Sequence, residues 1–338
     1  MARPEEAGGT GQFDELAERV LAGGEPTRAE ALAILNAPES EMDDLLAAAL
    51  RIREQRWGRG VKICMLQNAR SGLCPEDCHY CSQSKLSTAE IDTYTLLERG
   101  RLMEGANRAV ERGARRYCMA TSGRGPSDRD IEEFCATTRA IKQDHPELEI
   151  CVSLGLMDEG KAQKLADAGV GWVNHNLNTS ERHHDQICTT HTYADRVATV
   201  QAAKKAGMNT CCGGIIGMGE DDDDIVQLGF ALRELGVDSL PVNFLHAIDG
   251  TPFEDKEDVD SGRALRALCL MRFLNPEADI RAAGGSERTL GEDEHLALYP
   301  ANSLFVAGYL TTPGRSADDA RRMIEERGFF VDGTEIEA

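Results

Sequence analysis

No stretch of the 338-residue chain approaches the roughly 20 uncharged apolar residues that cross a bilayer as a helix, so no transmembrane helix is expected. The opening MARPEEAGGTGQFDELAERV contains no apolar core of the secretory kind, and no signal peptide is expected either. Positive charge is scarce: Lys and Arg number 37 against 58 Asp and Glu, for a net charge of −21. That deficit excludes general binding to nucleic acid or anionic membranes, which needs basic surface. Lysine is scarcer still, with only eight in the chain. Dense carboxylates keep a protein hydrated at high ionic strength, so salt adaptation is one account. A GC-rich genome that favours arginine codons is the other. Collagen-like, disordered and low-complexity compositions are absent as well. What is present is 41% hydrophobic residues, enough for a sizeable core in a cytoplasmic globular protein. The length suits two ordinary domains or one α/β barrel, typically about 250 residues before insertions.

The first sixty residues read as helical. Phe13, Leu16, Val20 and Leu21 form one apolar stripe, 29–35 continues after Pro26-Thr27, and 45–52 follows Ser40 as a cap. Beyond Val61, short apolar runs alternate with amphipathic segments. Strands are expected over 61–67, 116–120, 149–154, 171–176, 209–216, 239–245, 279–283 and 303–306. Helical patterns lie between them near 98–112, 128–143, 158–168, 193–206, 221–235, 262–274 and 289–298, with a last one at 316–327. Eight such units spell a (β/α)8 TIM-type barrel over 59–328, after a helical leader at 1–58 and before a tail at 329–338. A doubly wound sheet has the same local grammar. The polar residues favour the barrel: Cys118, Cys151, Asn174, Asn176, Cys211, Asn243 and Arg281 interrupt six different apolar strands. Buried polar groups are costly unless satisfied, and strands converging on one central site would satisfy them together.

Eleven cysteines in a reducing compartment point to metal, cluster or catalytic roles rather than disulfides. The sharpest local signal is Cys74-Pro-Glu-Asp-Cys78-His-Tyr-Cys81. Three thiolates spaced CxxxCxxC can hold three corners of a cubane [4Fe–4S] cluster and leave the fourth iron open to a substrate's nitrogen and oxygen donors. Zinc is the alternative, but it prefers four protein ligands. The fourth would have to be His79, Cys64 or something distant.

With Tyr80 before the last cysteine, the motif resembles the radical S-adenosylmethionine (AdoMet) superfamily. A closer resemblance, to the biotin synthase family, runs from about Phe13 to Gly328. It rests on Arg70-Ser-Gly-Leu-Cys-Pro-Glu-Asp-Cys78, Tyr80-Cys-Ser-Gln-Ser84, Val173-Asn-His-Asn-Leu-Asn-Thr-Ser180, Thr190-His-Thr-Tyr193, Pro241-Val-Asn-Phe-Leu245, Asp249-Gly-Thr-Pro252 and Leu310-Thr-Thr-Pro313. The resemblance implies a sulfurtransferase that inserts sulfur into dethiobiotin, consuming two AdoMet molecules, with the sulfur drawn from an auxiliary [2Fe–2S] cluster.

By resemblance, Cys74, Cys78 and Cys81 hold the [4Fe–4S] cluster; Cys118, Cys151, Cys211 and Arg281 hold the [2Fe–2S] cluster. Tyr80, Asn176, Asn178, Gly217 and Glu220 meet AdoMet. Asn174, Asn176, Asn243, Thr311 and Thr312 meet dethiobiotin. Asn178 stands where many members carry Asp, and Ser286 where many carry Arg. A flavodoxin- or ferredoxin-type electron donor and a homodimer are implied too.

Other radical enzymes on this barrel, of the hydrogenase-maturase or methylornithine-synthase kind, are the catalytic alternatives; a non-catalytic iron–sulfur or zinc protein is the other. Lipoyl synthase would need a second cysteine motif near the N-terminus, and no cysteine precedes Cys64. Among the rest, His175 reads as a core residue on the opposite strand face, and His183, His184 and His191 as surface or capping residues. Cys64, Cys135 and Cys269 read as buried small hydrophobes. Cys188 and Cys212 stand where other residue types are expected, with Cys212 pointing away from its neighbour by strand alternation. The 220–224 acidic run opens a helix.

The two accounts of the charge separate in a salt titration. Salt adaptation predicts that the thermal midpoint and iron retention rise together between dilute and molar KCl; codon bias predicts no change in either.

Overall fold

The computed structural model describes residues 11–311 and 314–332. Nine segments fill eight positions of a closed parallel barrel: β1 (Gly60–Arg70), β2 (Arg116–Thr121), β3 (Glu149–Ser153), β4 (Trp172–Asn174), β5 (Asn209–Cys211) continued by β6 (Gly214–Ile216), β7 (Ser239–Phe244), β8 (Asp279–Ala282) and β9 (Ser303–Val306). Closure comes from β9 pairing back onto β1, Lys62 opposite Ser303 and Ile63 opposite Leu304. That pairing makes the sheet a barrel and removes the doubly wound alternative. The helices between strands bury one stripe each. Asp128–Asp144, for example, buries Ile131, Phe134, Thr138 and Ile141 at helical spacing behind a Ser127–Asp130 capping box.

The leader forms the helices Gln12–Leu21, Arg28–Leu35 and Met42–Trp57; the last two pack on Ser261–Leu274, Arg28–Leu35 also meets Asp222–Leu235, and Gln12–Leu21 packs on Met42–Trp57. Ser40 is not the cap expected of it: it lies in a 3-10 turn, Glu39–Glu41, and Met42–Trp57 begins without a side-chain cap. The acidic run does open a helix, with Asp221 and Asp224 forming a capping box for Asp222–Leu235. Among the described residues, no helix is long and apolar enough to cross a membrane.

Three expected boundaries move for physical reasons. The strand expected over 209–216 breaks at Cys212-Gly213. There a Cβ on Gly213 would lie 1.9 Å from the Pro241 carbonyl oxygen, so only glycine permits the approach. The helix expected over 289–298 is a short helix, Ser286–Leu290, followed by 3-10 turns over Gly291–Leu298. The tail expected from 329 begins with a further strand, β10 (Phe330–Val331), parallel to β1 at Gly60 and Val61. Phe329 is buried, with the Arg53 guanidinium 4.6 Å from its ring centroid, and this contact anchors the segment.

Inside the barrel lies a layer of charge. Asp279 is fully buried, and its Oδ2 stands 3.4 Å from Arg281 Nη2, 3.6 Å from Arg116 Nη2 and 3.7 Å from Lys62 Nζ. Arg116 also donates to Glu149 Oε2 at 2.8 Å and covers the Trp172 ring at 3.5 Å. Burial pushes the Asp279 pKa up, but Arg281, Arg116 and Lys62 together outweigh it and hold the carboxyl below its ordinary value. Its stabilisation is therefore complete above the unfolded pKa of about 3.9 and is lost as pH falls through the lower folded value. Asp279→Ala, which strands these cations, is expected to cost about 3–5 kcal/mol at neutral pH. Urea unfolding measures it, and a loss below about 1 kcal/mol would show that the cations are balanced without Asp279.

Candidate active site

The loop after β1 turns sharply. Gly72 has φ +71, and a Cβ there would meet Thr93 Oγ1 at 2.6 Å. Leu73 follows in the left-handed region at φ 53, an unusual conformation for leucine. Gln83 Oε1 accepts from the Gly72 amide at 3.0 Å, and the Lys85 amide donates to the Glu76 carbonyl at 2.9 Å, closing the loop. Backbone amides of Glu76 and Gly123 point at the Cys74 sulfur, and those of Gln83 and Ser84 at the Cys81 sulfur. Burial lifts the Cys81 thiol to about 11, against the pull of its two amides. Amide donors favour the thiolate, the form that binds iron, so this loop fits a cluster held at three corners. The two nearby candidates for a fourth zinc ligand are engaged elsewhere: His79 packs edge-on against Phe253 at 5.5 Å, and Cys64 is buried in β1 near the charges of Arg281 and Arg116.

Cys74, Cys78 and Cys81 line one end of a cavity of about 290 Å3 at the C-terminal ends of the strands, where barrel enzymes place their sites. Tyr80, Asn174, Asn176, Asn178, Asn243 and Thr311 line it too. Thr312 lies outside the described residues. Asn174 and Asn176 share a face, as the period of two predicts, with Asn174 Nδ2 donating to Asn176 Oδ1 at 3.2 Å. Asn176 Oδ1 also accepts from the Gly213 amide at 3.1 Å. Asn243 is fixed by the Gly214 carbonyl and the Gly284 amide, each at 2.9 Å. Asn178, left-handed at φ 72, accepts from Tyr80 Oη at 2.6 Å and from both Arg196 Nη atoms at 3.2 Å. Ser82 and Thr311 share a hydroxyl hydrogen bond at 3.0 Å. Gly217 and Glu220 do not line the cavity. The Gly217 amide donates to Glu220 Oε1 at 2.6 Å, while Glu220 Oε2 is buried with no hydrogen-bond partner.

Deeper in the barrel, β2 and β3 set Cys118 opposite Cys151, and β5 ends on Cys211. All three are buried, yet none joins the apolar core that holds Cys135, Cys212 and Cys269. Cys212 thus faces away from its neighbour, as alternation predicts. Cys211 Sγ accepts from Arg281 Nη1 and from Asn174 Nδ2, both at 3.4 Å. Arg281 also donates to Ser303 Oγ at 2.6 Å and Ser239 Oγ at 3.2 Å. Asp279 is the counter-ion of this buried arginine. Tyr309, missed in the sequence, lines the cavity next to this group. Its phenol is pushed up by burial and by nearby Cys118, Cys211 and Cys151.

Other residues given no role in the sequence hold the cysteine loop in place. Asp77 accepts from the Thr189 and Thr190 amides at 2.9 and 3.2 Å and from Thr189 Oγ1 at 2.5 Å. Burial works against the Asp77 carboxylate, but these donors hold its pKa well below the usual range. Glu76 accepts from Thr190 Oγ1 at 2.7 Å and from His191 Nδ1. His184 and His191 are therefore buried rather than superficial, and His175 contributes to the cavity wall because β4 ends at Asn174, before it. The only sequence signal for this clasp was that Glu76, Asp77 and His191 lie inside quoted motifs.

A parallel barrel with three thiols at its C-terminal mouth is the arrangement of radical AdoMet enzymes, and the Radical SAM superfamily profile matches residues 70–230. Membership carries AdoMet and a [4Fe–4S] cluster with it. A second profile, the Biotin and Thiamin Synthesis associated domain, matches residues 241–330. The biotin synthase of Rhodopirellula baltica is 49% identical over 324 residues, 96% of this chain and 90% of that protein. That of Bacillus subtilis (strain 168) is 46% identical, over 96% of each chain. The protein belongs to the biotin synthase family. Among solved structures, methylornithine synthase superposes with a TM-score of 0.83 at 19% identity, covering 94% of this chain and 97% of that one. The FeFe-hydrogenase maturase of Carboxydothermus hydrogenoformans gives 0.78 at 16%, covering 94% and 78%. At such identities the likeness shows the fold alone.

Asp77→Ala should release the 189–190 amides. We expect their hydrogen exchange to accelerate and global stability to fall by about 1–3 kcal/mol. Unchanged exchange at those two amides would show that the clasp does not depend on this carboxylate.

Proposed function

We propose that this protein is an enzyme of biotin biosynthesis that closes the thiophane ring by inserting sulfur into dethiobiotin. The observation that supports it best is the stacking of two thiol groups in one barrel: Cys74, Cys78 and Cys81 on the wall of the cavity at its mouth, and Cys118, Cys151 and Cys211, with Arg281, buried in the strands beneath that cavity. Unactivated C–H bonds are too strong for acid–base removal, so a radical route is needed. When bound, a [4Fe–4S] cluster and AdoMet supply a 5′-deoxyadenosyl radical, and a [2Fe–2S] cluster supplies the sulfur.

The chain's own residues hold and orient. Cys74, Cys78 and Cys81 would hold the upper cluster, with amide donors tuning two of the three sulfurs. Cys118, Cys151, Cys211 and Arg281 would hold the lower one. Tyr80, tied to Asn178 and Arg196, would set the adenosine side of the cavity, and Asn178 and Asn176 would hold the ribose. Gly217 and Glu220 form the turn behind Leu245, which lines the cavity, and so shape the AdoMet side. Asn176 and Asn243 suit the ureido ring, because an amide can answer both its donors and its acceptor. Backbone bonds already fix both amides, and Asn174 braces Asn176. Thr311, which lines the cavity, and Thr312, next in sequence, would cap the substrate carboxylate. A flavodoxin- or ferredoxin-type protein would be the electron donor, and the enzyme would act as a homodimer in the cytoplasm. None of the eleven cysteines is joined in a disulfide, so all six proposed ligands are available as thiolates.

Anaerobic reconstitution should load about six irons in two spectral components. With AdoMet, dithionite or a flavodoxin system, and dethiobiotin, it should then yield biotin and 5′-deoxyadenosine. About four irons would count against the lower cluster; deoxyadenosine without biotin would sink sulfur insertion. Arg281→Ala should lose the second component, and its retention with unchanged turnover would remove Arg281 from the ligand set.

A further inference from the structure

Cys188 takes no part in the reaction above. It is fully buried beside the cysteine loop, and its sulfur lies 3.7 Å from Cys78 Sγ. His191 presents its ring to the same sulfur, with Nδ1 at 3.4 Å and Nε2 at 3.7 Å. One donor atom from each of the three residues falls within 4.8 Å of the others.

These separations match a particular ion chemistry. With Zn–S near 2.3 Å and Zn–N near 2.0–2.1 Å at tetrahedral angles, two sulfurs stand about 3.8 Å apart, and a sulfur and a nitrogen about 3.5–3.6 Å apart. The Cys78–Cys188 and Cys188–His191 distances both fall close to those edges. Thiolates on neighbouring irons of a cubane diverge from its corners and stand farther apart, so this pair is not spaced for sharing a cluster.

The buried carboxylate of Glu76 supplies an independent observation. It accepts from His191 Nδ1, which leaves Nε2, 3.7 Å from the Cys188 sulfur, as the ring nitrogen available to a metal. A histidine whose second ring nitrogen is held by a carboxylate is the usual form of a metal-binding imidazole. Asp77 Oδ1 lies 3.2 Å from Cys188 Sγ but is engaged by the Thr189 and Thr190 amides, which leaves a fourth position to water.

We propose that Cys78, Cys188 and His191 form a site for a thiophilic divalent cation of the zinc class, filled when the chain carries no cluster. Binding is not a redox step: metal–sulfur bonds form, thiol protons leave to solvent, and His191 gives its Nε2 lone pair while its Nδ1–H remains hydrogen-bonded to Glu76. Cation and cluster exclude one another because Cys78 cannot serve both. That second half rests on Cys78 being a cluster ligand; the first half does not.

The test uses the full-length chain stripped of iron under anaerobic conditions, with Co2+ as probe. Thiolate-to-cobalt charge transfer and tetrahedral d–d bands are expected. Cys188→Val, which refills the volume with an apolar side chain, and His191→Ala should each weaken cobalt binding about tenfold or more. Cys74→Ala and Cys81→Ala should leave it unchanged. Binding that survives Cys188→Val and fails with Cys74→Ala or Cys81→Ala would place the ion on the loop triplet and overturn the proposal. In the second arm, one equivalent of Zn2+ precedes iron and sulfide. The native chain should then take up far less iron than the Cys188→Val chain. Equal inhibition of both chains would overturn the exclusion. A native chain that builds its cluster while retaining zinc would overturn Cys78 as a cluster ligand and leave the cation site standing.

Discussion

A full positive charge inside the barrel constrains much of what surrounds it. Arg281 lies among thiols and apolar strands, where an isolated guanidinium would be prohibitively costly. Asp279, two residues earlier on β8, answers it, and Arg116 and Lys62 join the same carboxylate from β2 and β1. Strands distant in sequence are thereby tied at one depth. The geometry that lets Arg281 reach Cys211 is the geometry that keeps Asp279 buried, so stability and the lower thiol site share one set of contacts.

Above that layer the barrel becomes a polar shaft. Asn174 bridges the levels, donating to Cys211 below and to Asn176 beside it. Asn243 and Asn176 are held by backbone groups rather than by each other, which leaves their outward edges fixed in direction. At the mouth, the 189–191 segment and the cysteine loop grip one another through Glu76 and Asp77. The left-handed Leu73 is thus tolerated at the start of a loop that is fastened at its centre.

Much of this was legible in the sequence because it is periodic or local. Alternation along strands put Cys211 inward and Cys212 into the apolar core, and set Asn174 and Asn176 on one side. The CxxxCxxC spacing needed no tertiary information. What escaped was what depends on distant backbone. Nothing near Gly213 announces that Pro241 presses against it. The burial of His191 is decided by Glu76, and the company of Cys188 by Cys78, both more than a hundred residues upstream. Ser40 misled because a capping residue is judged by its neighbours in sequence, whereas a 3-10 turn changed which residue sits at the helix start.

Closure through β1 and β9 has a consequence for synthesis. The partner of Lys62 is Ser303, so the first strand made waits for nearly the last, with β10 arriving later still. At about 5–20 residues per second, that interval is on the order of ten seconds or more. Throughout it, β1 has an unpaired edge, and the barrel that encloses Cys118 and Cys151 stands open on the side that β8 and β9 will close. The emerging chain therefore passes through a stage in which its innermost sulfurs face solvent directly, and the ribosome's pace sets how long that stage lasts.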